Sequence, residues 1–83
     1  MPRGWFFRKA RTTLITDFVM APEGDGWRMT VSFTDGTVYS TPYASLSVFR
    51  DVMSRQRSLT GVVVRVNDGS RSYDLRLPVK KAR

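Results

Sequence analysis

Eight residues, Trp27-Arg28-Met29-Thr30-Val31-Ser32-Phe33-Thr34, alternate apolar and polar without a break, and Asp35-Gly36 follows at once. Successive side chains of a strand point to opposite sides, so a period of two over this length describes a strand with one buried face and one wet face. Trp27, Met29, Val31 and Phe33 form the predicted inner face; Arg28, Thr30, Ser32 and Thr34 form the outer one. Asp-Gly suits a two-residue type I′ turn, which brings Thr37-Val38-Tyr39-Ser40 back as the second arm of a hairpin. In that register Phe33 lies opposite Val38 and Ser32 opposite Tyr39, sending Val38 to the core and Tyr39 to the wet face.

The same device recurs where Gly61–Val66 and Ser72–Leu77 flank Asn67-Asp68-Gly69-Ser70. A turn on Asp68-Gly69 sets Val64 against Tyr73, Val62 against Leu75, Arg65 against Ser72 and Val63 against Asp74, with Arg65, Asp74 and Arg76 on the wet face. The two hairpins share a period and no sequence, so they are not a repeat. Between them, Thr41 can cap a helix that opens on Pro42 and places Leu46, Phe49, Val52 and Met53 on one stripe. That helix is expected to run about three turns and to end near Arg55-Gln56-Arg57. Leu14–Met20 reads as a first strand, and Ala21–Gly26 as a loop rich in breakers.

The order β-β-β-α-β-β predicts an α+β fold: a small antiparallel sheet of about five strands with one helix, the alternative being a small OB-like β-barrel. The expected organisation is a basic aromatic arm over residues 1–11, a single domain over 12–79 and a basic tail over 80–83. With 83 residues the chain buries only a modest share of its unfolded surface. It also has no cysteine and no histidine to supply disulfides or metal ligands. Thiol nucleophiles and Ser-His or Cys-His catalysis are excluded with them, and neither an enzyme nor a cofactor is expected. Glu23 and Asp25 are the one acid pair near each other in a loop, too few oxygens for a hard cation. Gly24-Asp25-Gly26 lacks the third glycine, the lysine and the following helix of a phosphate-binding loop.

No apolar run approaches the roughly 20 residues of a membrane span. Trp5-Phe6-Phe7 is broken by Arg8 and Lys9 before it could serve a signal peptide, and Pro2 and Gly4 oppose the helix of a mitochondrial presequence. Cytoplasmic location is the expectation.

The net charge of +7 has a distinctive layout. Arg3, Arg8, Lys9 and Arg11 stand in the first eleven residues without an acid, Lys80, Lys81 and Arg83 close the sequence, and the body balances seven arginines against seven acids. Cations interleaved with Trp5, Phe6 and Phe7 suit phosphates and unpaired bases, although the same aromatics could complete a small core. Arg55 and Arg57, with Arg50 one turn earlier, form a second basic cluster at the helix end, where they also offset the helix dipole. On the wet sheet face Arg28, Arg65, Arg76 and an exposed Tyr39 make a stacking and phosphate-binding platform. The expectation is a small basic nucleic-acid-binding module, for RNA or DNA, that uses its arms and its open sheet face. The alternative is a protein-interaction subunit or inhibitor of phage or mobile-element type docking on a larger host protein or assembly, with homo-oligomerisation a further way to bury area.

Overall fold

A computed structural model of the chain describes residues 3–12 and 14–77, and within these the side chains of 3–5, 11 and 12 are outside the description. Helix α1 spans Arg3–Thr12 and is followed by β1 (Ile15–Glu23), β2 (Gly26–Phe33), β3 (Val38–Tyr43), helix α2 (Leu46–Met53), a 3-10 turn at Arg57–Leu59, β4 (Val63–Asn67) and β5 (Ser72–Arg76). The strands form one open sheet in the order β3-β2-β1-β4-β5. The expected α+β character and strand count therefore hold, and the sheet is not a barrel. It is mixed rather than antiparallel, because β4 lies parallel to β1. The segment from β3 to β4 crosses the sheet through α2 and the 3-10 turn, and a crossover of this kind returns the chain in its original direction.

The Trp27–Thr34 alternation is β2 as read: Met29, Val31 and Phe33 are buried and their neighbours are partly exposed. The hairpin after it departs from the expected register by one residue. Phe33 N donates to Thr37 O (2.9 Å) and Gly36 N to Phe33 O (3.0 Å), so the loop holds three residues, Thr34-Asp35-Gly36, and not two. Gly36 takes φ +88° as the bulge residue such a loop requires, and the Asp35 carboxylate accepts from Thr37 N (2.9 Å). Ser32 consequently pairs with Val38 and Val31 with Tyr39. A slip of one residue exchanges the faces of a whole strand, so Tyr39 is buried at 4% exposure and Val38 stands out at 57%.

The second hairpin also has a longer loop than expected, Asp68–Arg71, closed by Asp68 N donating to Arg71 O (3.1 Å). Asp68 Oδ1 accepts from the backbone N–H groups of Ser70 and Arg71. Here the register moves by two, pairing Val64 with Leu75, Val66 with Tyr73, Arg65 with Asp74 and Val63 with Arg76. An even shift keeps each residue on its face, and Arg65, Asp74 and Arg76 are on the open side as predicted.

Thr41 and Pro42 belong to β3 and not to the helix. An edge strand tolerates a proline that cannot donate to the ladder. The cap is Ser45, whose hydroxyl accepts from Val48 N (3.1 Å). From there the predicted stripe packs inward, with Phe49 and Met53 buried and Leu46 and Val52 half-buried. Strand β1 runs further than expected and takes in Ala21–Glu23, leaving Gly24-Asp25 as its turn into β2.

The N-terminal segment is helical where an arm was expected. Phe6 is 1% exposed; its ring stacks on Tyr39 at 5.0 Å and meets Phe18 edge-on at 6.0 Å. Phe49 meets the same Phe18 and also Tyr43, which sets α1 and α2 side by side on one face of the sheet. Burial of large aromatics outweighs the poor helix propensity of Gly4. Among the described residues the other sheet face carries no helix.

Candidate nucleic-acid interface

The fold sorts the ionisable side chains into two layers. The open sheet face reads across all five strands in one row as Ser40, Thr30, Val19, Arg65, Asp74. Beside that row lie Val38, Ser32 and Asp17 at one end and Pro42, Arg28 and Ala21 at the other. The β4–β5 ribbon adds Val63 opposite Arg76 and Asn67 opposite Ser72. The face is thus built largely of small side chains, with Arg28, Arg65 and Arg76 set against Asp17 and Asp74. A β-bulge between Ile15 and Asp17 turns Ile15 inward and Asp17 outward.

Arg28 is committed locally. Its Nε donates to the Glu23 carboxylate and its Nη1 to Ser40 Oγ (2.9 Å), which holds Glu23 below the usual carboxylate range and raises Arg28. Tyr39, expected here as a stacking surface, lies in the core under Phe6. No aromatic among the described residues belongs to the open face, because Phe18, Phe33, Tyr43 and Tyr73 share the opposite side with Tyr39.

The helical layer differs. Among the described side chains, α1, α2 and the segment through the 3-10 turn bring together Arg8, Lys9, Arg50, Arg55 and Arg57, and Asp51 is the one acid on that stretch of the layer. Arg8, Arg50, Arg55 and Arg57 are exposed, and α1 packs directly against the Arg57–Leu59 turn. Arg55 pairs with Asp51 at 3.1 Å, one helical turn away. Lys9 pairs with Asp35 in the β2–β3 loop and, together with Thr37, holds that carboxyl down at about 2. Arg50 and Arg57 have no carboxylate within 4.0 Å among the described residues.

The structure therefore divides the site residues expected from sequence. Arg8, Lys9, Arg55 and Arg57 come together on one layer. Phe6 is a core residue, not a surface contact, and Arg28, Arg65 and Arg76 lie on the far face. The side chains of Arg3, Trp5 and Arg11, and the whole of Lys80, Lys81 and Arg83, fall outside the described residues. Arg50, expected one turn before Arg55 in the same basic cluster, stands with them on the layer.

Where β1 and β4 diverge beyond their two paired positions, Val19 with Arg65 and Met20 with Val66, a cleft of about 480 Å³ opens. Leu14, Phe18, Val63, Arg65, Asp17 and Asp74 are among its lining residues. Among the described residues no three acids gather as metal ligands, and no helix is long and apolar enough to cross a membrane. No protein-family model, curated protein or solved structure matches the chain.

Proposed function

We propose that this protein binds nucleic acid through its helical layer. One observation carries the reading: among the described side chains the layer gathers five cations, Arg8, Lys9, Arg50, Arg55 and Arg57, on segments whose one acid is Asp51, while the other acids of the body lie mainly in turns and on the sheet face. Such a surface attracts a polyanion by releasing its condensed counterions, an effect each neutralised phosphate adds to. Arginine also grips phosphate with two parallel N–H donors, and the chain has eleven arginines to three lysines. No catalytic step is part of this role.

The test is a titration of labelled nucleic acid across a salt series. Engagement of between two and five layer cations gives a slope of log K on log salt between about −1.8 and −4.5, at about −0.9 per contact. Binding absent at low salt, or independent of salt, sinks the reading.

A second reading, a protein-docking subunit, is favoured by the β1–β4 cleft, at whose mouth Leu14 is 76% and Val63 41% exposed. Its signature is association with one protein that survives high salt and nuclease and is lost in Leu14→Ser.

A further inference from the structure

We infer that the nucleic acid this surface fits is a double helix, contacted at its phosphates. The inference rests on the helical-layer reading above and narrows it to a ligand class. A protein that holds single strands depends on exposed rings for successive bases to stack on, and that stacking is what offsets the cost of ordering a flexible chain. Every aromatic side chain among the described residues is either buried or half-buried against the core; that of Trp5 lies outside them. The change of register at Gly36 is part of the reason, because it takes Tyr39 off the open face.

What the layer does present is guanidinium groups on two helices held to a common sheet. Phe6 fixes α1 through Tyr39 and Phe18, and Phe49 fixes α2 through Phe18 and Tyr43. Charges carried on a fixed backbone scaffold match a stiff polyanion with regularly spaced phosphates better than a pliable one. A duplex also offers the denser charge, one per about 1.7 Å of axis, and returns more released counterion per contact than a single strand. Arginines outnumber the layer's exposed hydroxyl side chains, Ser47 and Ser58, and its half-buried amide, Gln56, so phosphate contacts dominate and binding depends little on sequence.

The experiment uses the full chain and a labelled duplex of about 20 base pairs, longer than the roughly 9 that the 32 Å long axis covers at 3.4 Å per base pair. Unlabelled duplex and either of its separated strands compete at matched phosphate concentration. The expected result is that a single strand needs on the order of tenfold more phosphate to displace the label. A·T-only and G·C-only duplexes are expected to compete within about twofold of each other. A single strand that competes as well as the duplex, or better, overturns the double-helix assignment and leaves the nucleic-acid reading standing. Absence of binding to both forms at low salt overturns the two together.

Discussion

The two sides of this small sheet were built from similar residue types and came out with opposite surfaces. Among the described residues, the helical side buries its aromatics inward and shows arginine outward, with Asp51 the one acid on its helices and Asp35 at its edge against Lys9. The open side shows serine, threonine and alanine between arginines and aspartates that nearly balance. The difference teaches that composition alone does not locate a binding surface in a chain of this charge. Arg65 and Arg76 are exposed, like Arg50 and Arg57, yet they share their ribbon with Asp74, and Asp17 stands on the adjacent strand. What distinguishes the helical layer is where the acids are not.

The contrast depends first on α1 being docked, and the largest expected effect follows from removing its anchor. Phe6→Ala deletes a fully buried ring between Tyr39, Phe18 and Phe33 and is expected to destabilise the fold by about 3–5 kcal/mol in chemical denaturation. A loss under about 1 kcal/mol would mean that α1 contributes little to the core and that the helical layer is not a fixed surface.

Next in size is Gly36, which decides the face on which Tyr39 falls. An added Cβ meets nothing within 4 Å, so the whole cost of Gly36→Ala is conformational, from φ +88°. About 1–2 kcal/mol is expected. A neutral result would show that the loop can close in another way and that the burial of Tyr39 is not enforced by it.

Smaller still is the tie between α1 and the β2–β3 loop. Asp35 ionises at about 2 in the folded chain against 3.8 unperturbed, with Lys9 the main cause. A depressed carboxyl adds stability that is fully present above the unperturbed value and is lost as pH falls from there toward 2. Thermal melts are therefore expected to show a wild-type decline through that window which Asp35→Asn makes shallower. Part of the decline should remain, because Glu23 and Asp68 are lowered too, by Arg28 and by the Ser70 and Arg71 backbone donors. An unchanged profile in the variant would detach Lys9 from Asp35.

Much of this architecture was legible in the residues. Alternation marked β2, the Phe49/Met53 stripe marked α2, and Asp-Gly marked both hairpins. Loop length was not legible, since Asp35-Gly36 serves equally as a two-residue turn or as the end of a three-residue one. The consequence depended on parity: one residue of error exchanged Val38 and Tyr39 between faces, whereas two residues at Asp68-Gly69 left Arg65 and Asp74 where they were expected. Helix α1 was hidden for a different reason. Pro2 and Gly4 argue against a helix there, and the contact of Phe6 with Tyr39 and Phe18 that favours it is non-local. The parallel placement of β4 is equally non-local. The basic cluster was visible as charge, but its gathering on one layer required knowing that α1 packs beside the 3-10 turn.

The most direct test of the central claim compares two paired substitutions that remove the same charge from opposite sides. Arg50→Gln/Arg57→Gln and Arg65→Gln/Arg76→Gln are measured against a duplex across a salt series, with folding checked by circular dichroism. The helical pair is expected to weaken binding at every salt concentration and to reduce the magnitude of the slope of log K on log salt by up to about 1.8, while the sheet pair leaves the slope within about 0.3 of wild type. Equal losses from both pairs, or a larger loss from Arg65 and Arg76, would contradict the assignment of the binding surface to the helices.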